Sequence, residues 1–184
     1  MNPTLKYSVS KTFIQKIFLT ITFSLLTAFA TRVFIPLPFT PIPITLQTFV
    51  VLLSGLMLGK WWGGLSQLLF VVFRLFEVPL CGPTGGYLIG FILTALFLGF
   101  ASSFAKKFKY SFVYIVVVTL VSLVCYYIPG LLHLGFLMTF VQHQTPTLSS
   151  LLSMGFLPFI VGDLIKAVSA AIFHSNVSSI IKKR

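Results

Sequence analysis

The sequence predicts an all-α membrane protein that crosses the bilayer six times. Only 8% of its 184 residues are charged, whereas soluble domains have about 25%. Hydrophobic residues make up 57% of the chain, and the mean hydropathy is +1.04. Long apolar runs recur throughout and lack the alternation of a β-barrel strand, while a helix of about 20 apolar residues spans a bilayer. We therefore expect one integral membrane domain over residues 1–184.

The predicted spans are bounded by basic clusters, prolines and glycines. They cover residues 17–35, 46–59, 62–78, 87–105, 111–130 and 157–177. The basic start and Ala28-Phe29-Ala30 would also suit a signal peptide with its cleavage site. We interpret this segment as the first membrane helix, because its apolar run continues to Ile35. Ser24 and Ala28, four residues apart, are small enough for close helix contact.

The positive charges support this segmentation. Six spans place both termini on one side of the membrane, together with ten of the 13 basic residues: Lys6, Lys11, Lys16, Lys60, Lys106, Lys107, Lys109, Lys182, Lys183 and Arg184. The positive-inside rule makes that side cytoplasmic. The net charge of +11 thus belongs to short cytoplasmic loops, and we expect no nucleic-acid partner.

Two connectors on the opposite side are unusual for loops. Four prolines fall within residues 36–43, which excludes a regular helix although the stretch is apolar. We expect a loop that caps the membrane surface, with Pro41, Pro43 and Thr45 in it; a rigid turn is the alternative. We expect the second connector, which contains Gly85 and Gly86, to be a capping loop as well, because these glycines permit close backbone approach to a ligand.

Five charged residues lie inside the predicted spans, towards the outer half. Arg32 is alone, Arg74 and Glu77 are three residues apart, and so are Asp163 and Lys166. Each charge costs about 2.5–3.5 kcal/mol at a helix centre. A shared outward-facing polar cavity would lower that cost, although Arg74 and Glu77 could also simply neutralise each other. The outer loops have no lysine or arginine, so we expect a small ligand with donors and acceptors.

Catalytic chemistry has little support in the sequence. Glu77 and Asp163 are the only carboxylate side chains, and no metalloprotease, hydrolase or nucleotide-binding motif is present. Cys81 and Cys125 have no metal-ligand spacing. We expect no catalytic residues, no metal and no cofactor, and any active transport would draw energy from partner proteins.

Three motifs in order resemble the BioY family, the biotin-specific substrate-binding subunits of energy-coupling factor (ECF) transporters. They are the stretch from Pro36 to Thr48 (PLPFTPIPITLQT), the stretch from Gly82 to Phe91 (GPTGGYLIGF), and Leu157-Pro158-Phe159 followed by residues 162–167 (GDLIKA). The resemblance covers roughly residues 20–175. It implies an ECF substrate-component (S-component) bundle of six helices with cytoplasmic termini in the cell membrane of a prokaryote.

The resemblance also implies a biotin pocket near the outer surface. Asp163 would accept from the ureido N–H groups of biotin and Lys166 would donate to its carbonyl. Arg74, Gln47, Thr48 or Tyr87 would hold the carboxylate, and aromatic side chains such as Phe70 would contact the rings. The implied partners are membrane lipid, a transmembrane coupling subunit that contacts Ser24 and Ala28, and two ATP-hydrolysing subunits.

The chain departs from the family pattern in one region. Only Pro79-Leu80-Cys81 precedes Gly82, where family members usually have a longer glycine-rich stretch, and Arg74 and Glu77 stand where small residues are usual. A solitary facilitator, a carrier for another vitamin and a ligand-free membrane scaffold remain alternatives.

Overall fold

The computed structural model describes residues 3–76, 82–108 and 111–182. Over these residues the chain forms six α-helices: α1 (Pro3–Ala30), α2 (Gln47–Leu75), α3 (Gly85–Ser102), α4 (Ser111–Phe136), α5 (Leu148–Gly155) and α6 (Leu157–Lys182). Two-residue strands β1 (Phe34–Ile35) and β2 (Ile44–Thr45) flank the proline-rich loop. A 3₁₀ turn (Ala105–Lys107) precedes α4, and a π-helical turn (Leu137–Val141) follows it. The all-α prediction is confirmed.

Helix α2 is a hairpin. Gly59 has φ 77° and ψ −176°, which interrupts the helix and is a conformation open to glycine. The side-chain amide of Gln67 donates to the hydroxyl of Ser54 at 3.0 Å, although in a straight helix these residues would be about 20 Å apart. A Cβ at Gly63 would lie 2.8 Å from the Ser54 carbonyl oxygen. The two arms, residues 47–58 and 60–75, are therefore antiparallel and in contact.

This hairpin reconciles the helix count with the prediction. Five described helices are long and apolar enough to cross a membrane, with 47–75 counted as one of them. Because α2 folds back at Gly59, its two arms supply two segments, in agreement with the six transmembrane helices expected. The remaining α5 is an eight-residue helix with a largely accessible surface.

The other helix ends differ modestly from the predicted spans. Helix α1 ends at Ala30 and not at residue 35, because Phe34 and Ile35 pair with Thr45 and Ile44 as antiparallel strands. Helix α4 continues through Pro129 to Phe136, and α6 extends five residues past 177.

One end of the bundle carries lysines set against aromatic rings. The ammonium group of Lys60 lies 4.4 Å from the Trp61 ring and 5.3 Å from the Phe100 ring. That of Lys107 lies 5.0 Å from the Phe104 ring, which itself contacts Phe100 at 5.1 Å. Two separate positive loops of the sequence therefore meet at one end, which we call the basic end, as the charge pattern predicts.

Candidate functional site

A polar cavity lies at the end of the bundle opposite the basic end. Because α2 turns at Gly59, its first residue and Arg74 both lie at this far end. The ligand cavity, as we name it, has a volume of about 90 Å³. Its lining combines polar and aromatic side chains from α2, α3, α4, α6 and the proline loop: Thr31, Ile42, Pro43, Thr45, Gln47, Thr48, Arg74, Thr84, Tyr87, Leu88, Phe91, Tyr126, Phe159, Asp163 and Lys166.

Asp163 is the buried charge at the base of this cavity. Its side chain is 1% exposed. The ammonium group of Lys166 donates to Oδ1 at 2.8 Å, and the phenolic hydroxyl of Tyr127 donates to Oδ2 at 2.6 Å. Each carboxylate oxygen can accept more than one hydrogen bond. Asp163 is thus held by two donors and retains capacity to accept from a ligand.

Small residues let α6 bring this pair into the bundle. Ala167, Ala170 and Ala171 follow the pair on α6 and are fully buried. Their small side chains allow close helix approach. The sequence places Ala167 and Ala170 on the same helix face as Asp163, and the structure confirms that this face points inward.

Gln47 brings an unpaired donor to the cavity. Its side chain is 8% exposed, and its Oε1 accepts from the hydroxyl of Thr45 at 3.1 Å. Its amide nitrogen Nε2 is buried and has no hydrogen-bond partner among the described residues. Buried polar groups are nearly always paired, so this amide is well suited to donate to an acceptor on a bound molecule.

Aromatic rings form a wall of the cavity. Tyr87 and Tyr126 have ring centroids 5.2 Å apart, and Phe91 stacks on Tyr126 at 5.6 Å. The Tyr87 hydroxyl donates to the carbonyl oxygen of Gly155 at 2.8 Å. Tyr87 therefore lines the cavity, and its hydroxyl secures the turn between α5 and α6.

The proline loop, which comprises residues 36–43 between β1 and β2, closes the cavity and is bonded to the bundle. The hydroxyl of Thr40 donates to the carbonyl oxygen of Met154 at 2.7 Å and accepts from the backbone N–H of Ile42 at 3.2 Å. Ile42 is 6% exposed. Backbone without regular structure is tolerated at membrane depth where it lines a cavity, and this loop meets that condition.

A second cavity adjoins the first. It has a volume of about 280 Å³ and is lined by residues of α1, its C-terminal turn and the second arm of α2: Ala28, Phe29, Thr31, Arg32, Phe70, Phe73 and Arg74. We call it the arginine cavity. Thr31 and Arg74 line both cavities, so the two spaces are adjacent.

The sequence matches a protein family over its whole length. A family model described as the BioY family matches residues 1–183. The chain belongs to the BioY family.

Individual BioY proteins support this assignment. The chain is 41% identical over 131 residues to the probable biotin transporter BioY of Methanothermobacter thermautotrophicus, covering 65% of this chain and 83% of that protein. It is 37% identical over 154 residues to the biotin transporter BioY of Thermotoga maritima, covering 78% and 85% of the two chains. A crystal structure of the S-component for biotin from an ECF-type ABC transporter superposes with a TM-score of 0.76, at 25% identity, over 92% of this chain and 93% of that one.

Most of the predicted site residues of this BioY-family chain come together in the structure. Asp163, Lys166, Gln47, Thr48, Tyr87, Arg74, Pro43 and Thr45 all line the ligand cavity. Phe70 lies behind Phe91, with ring centroids 6.4 Å apart, and lines the arginine cavity instead. Pro41 is exposed on the proline loop. Glu77 and Cys81 lie outside the described residues.

Gly85 and Gly86 differ from the expectation of a capping loop. They form the first turn of α3 and are buried. A Cβ at Gly86 would collide with the carbonyl oxygen of Pro129 and the Cβ of His133. Gly86 therefore permits a close approach between α3 and α4.

Ser24 and Ala28 also differ from a freely accessible contact surface. Ser24 is 1% exposed, and its hydroxyl has no hydrogen-bond partner among the described residues. Ala28 is half-buried and lines the arginine cavity. The outward face of α1 carries larger side chains, including Leu25 and Phe29. The two small residues thus face the chain's own interior.

Tyr126 and Tyr127 are functional candidates that sequence reasoning missed. They lie inside the apolar predicted span 111–130, where two adjacent hydroxyl-bearing side chains could have indicated a polar site. Phe159 was also missed, although it precedes Asp163 by four residues and therefore shares its helix face. No sequence pattern indicates which residue of α4 meets α6, so the bond from Tyr127 to Asp163 needed the structure.

Proposed function

We propose that this chain is the biotin-binding membrane subunit of a vitamin uptake transporter. It captures biotin in the ligand cavity from outside the cell and delivers it inward together with ATP-driven partner subunits. Family membership supports this role over an enzymatic one. The observation that carries the proposal is the ion pair of Asp163 and Lys166 in the cavity wall. The Nζ of Lys166 lies 2.8 Å from the Oδ1 of Asp163.

This pair is complementary to a urea-like group. The ureido ring of biotin has two N–H donors and one carbonyl acceptor. Asp163 supplies a carboxylate with spare acceptor capacity, and Lys166, which is only 15% exposed, supplies a cationic donor beside it. Hydrogen bonds to charged groups are worth about 1.5–3 kcal/mol each. The Nε2 of Gln47 adds a second donor.

The aromatic wall suits the rest of the ligand. Phe91, Tyr126 and Phe159 line the cavity beside Asp163 and offer apolar surface to the fused rings. Small-molecule pockets commonly measure about 300–1,000 Å³, whereas the ligand cavity measures about 90 Å³. We therefore propose that the proline loop moves outward to admit biotin, and that bound biotin also uses the neighbouring arginine cavity.

The transport step requires partners, since the sequence has no nucleotide-binding motif. We propose a transmembrane coupling subunit and two ATPase subunits, as in ECF-type transporters. The chain would lie in the cell membrane of a prokaryote as a multi-pass protein, in contact with lipid and with both termini cytoplasmic. The coupling subunit would contact α1, and the inward position of Ser24 means that this contact needs either the larger outward residues or a shift of α1.

The direct test is biotin binding by the purified chain. We expect thermal unfolding in detergent to shift upward with biotin and not with lipoic acid, which has a similar acid chain but no ureido group. A ligand present at 100 times its Kd stabilises the folded state by about 2.7 kcal/mol. A scaffold without ligand would show no shift with biotin, and co-purified ATPase subunits would distinguish a coupled importer from a solitary facilitator.

A further inference from the structure

We propose that a groove on the surface of α3 and α4 binds one anionic phospholipid, with the lipid phosphate at Lys60 and one acyl chain along the groove. The lipid groove, as we name it, lies between residues 93–100 of α3 and residues 125–129 of α4, with Lys60 at one end, and has a volume of about 440 Å³. It shares no lining residue with the ligand cavity or the arginine cavity. The inference therefore goes beyond the proposed function and does not depend on biotin.

The lining of the lipid groove is apolar except for Lys60. Leu93, Phe100 and Ile128 are each about half exposed, at 44%, 49% and 55%. Cys125, which also lines the groove, is less exposed, and a free cysteine behaves as a small apolar residue. The groove is thus a concave apolar surface with a cation at one end, which suits the methylene groups of an acyl chain below an anionic headgroup.

The lipid groove runs from the basic end towards the middle of the membrane. Phe100, two residues before α3 ends, lies beside Lys60 at the basic end. At the other end of the groove, Pro129 packs close to Gly90, where a Cβ would lie 3.1 Å from the proline ring. Gly90 and Phe100 are ten residues apart, which is about 15 Å along a helix. One leaflet of the hydrocarbon core is also about 15 Å thick, so the groove matches an acyl chain of the leaflet nearest the basic end.

The position of Lys60 fits a headgroup contact. Its ammonium group lies 4.4 Å from the ring of Trp61, which is 72% exposed, and 5.3 Å from the ring of Phe100. Exposed tryptophan is typical of the membrane–water interface, so the ammonium lies at headgroup level. Cations at this level attract anionic lipids.

The distribution of acidic residues favours a lipid over a second copy of the chain. Asp163 is the only acidic side chain among the described residues, and it lies in the ligand cavity at the opposite end of the bundle. A second copy packed on the groove would therefore bring no described carboxylate to Lys60 from its own basic end. A lipid phosphate supplies the opposite charge, and its acyl chain covers the apolar lining at the same time.

The test is native mass spectrometry of the purified chain with phosphatidylglycerol, which is anionic, or with phosphatidylcholine of the same acyl chains, which is zwitterionic. We expect the wild-type chain to retain one phosphatidylglycerol and to bind it about fivefold more tightly than phosphatidylcholine, as one cation at the membrane surface implies. Lys60→Gln should remove this preference. Lys107→Gln is the matched control and should keep it, because Lys107 lies at the same end but outside the groove.

A second variant tests the position of the acyl chain. Leu93→Trp fills the groove and should lower the retention of both lipids. Leu68→Trp is its control, because Leu68 is similarly exposed, at 46%, and lies outside the groove. Thermal unfolding confirms that both variants are folded.

The remaining outcomes overturn the inference. Equal binding of the two lipids by the wild-type chain, which needs no substitution, excludes selection of an anionic headgroup. Equal losses in Lys60→Gln and Lys107→Gln would show a diffuse charge effect in place of a site. Full retention in Leu93→Trp would exclude the groove, and a dimer without lipid would identify a second copy of the chain as its occupant. Because no sample contains biotin, none of these results bears on biotin recognition.

Discussion

The phenolic hydroxyl of Tyr127 donates to Oδ2 of Asp163 at 2.6 Å and joins α4 to α6 beneath the ligand cavity. The Tyr127 ring is itself fixed by Phe156, with centroids 4.7 Å apart in an edge-to-face contact, and by Tyr126 at 4.5 Å. Lys166 holds the other carboxylate oxygen from within α6. The carboxylate is thus oriented from two helices, which fixes where a ligand donor must lie.

Removing the tyrosine hydroxyl tests this orientation. Tyr127→Phe leaves Oδ2 of Asp163 without its donor, and we expect biotin affinity to fall about tenfold because bonds to charged groups are worth about 1.5–3 kcal/mol. Titration calorimetry measures the change. Tyr114→Phe is the matched control, because its hydroxyl lies on the same helix and donates to the Ala101 carbonyl at 2.9 Å, outside the ligand cavity. Equal losses in both variants would show that the effect is not specific to Asp163.

The anchor of the proline loop sets how readily the cavity opens. Thr40→Val keeps the side-chain shape and removes the bond to the Met154 carbonyl. We expect biotin to dissociate several-fold faster, since a net hydrogen bond contributes about 0.5–1.5 kcal/mol. Exchange of radiolabelled biotin measures the rate. Thr139→Val, an exposed threonine that bonds to Gly135, should leave the rate unchanged; an unchanged rate in Thr40→Val would mean that the loop does not control release.

The glycine contact between α3 and α4 is expected to govern stability. Gly86→Ala places a methyl group against the backbone of Pro129, and overpacking of this kind costs about 1–3 kcal/mol. Gly162→Ala on α6 meets no atom within 4 Å and should stabilise the helix by up to about 1 kcal/mol. The temperature of thermal unfolding should therefore fall in Gly86→Ala and rise in Gly162→Ala. A Gly86→Ala protein as stable as the wild type would contradict the close contact.

Much of the fold could be predicted because it follows from local composition. Apolar length and the positions of lysines indicated six spans, and the spacing of Asp163 and Lys166 indicated their contact within one helix turn. The four prolines of residues 36–43 excluded a regular helix, because proline has no backbone N–H to donate. The span lengths, the contact of Asp163 with Lys166 and the effect of the prolines depend only on residues that are close in sequence. The side of each loop follows from the positive-inside rule.

Contacts between distant segments account for what could not be predicted. The spacing of Gly55, Gly59 and Gly63, one every four residues, permits close approach of another helix, but it does not identify the second arm of α2 as one such neighbour. Gly55 also packs against α3, because a Cβ at this position would lie 3.0 Å from the carbonyl oxygen of Ala95. Gly86 lies against the backbone of Pro129 on α4, and its neighbours in sequence do not indicate this contact. Helix faces can be read from spacing, whereas their partners depend on how the helices pack.

We expect Asp163 to recognise the ureido group of biotin, and Asp163→Asn tests this recognition most directly. The substitution keeps the shape of the side chain and removes its charge. Ser169→Ala, an exposed position on the same helix, is the matched control. We predict that calorimetry on folded protein gives a Kd for biotin raised about tenfold to a hundredfold in Asp163→Asn, with wild-type affinity in Ser169→Ala. A folded Asp163→Asn protein that binds biotin as tightly as the wild type would show that the Asp163 carboxylate does not recognise the ureido group.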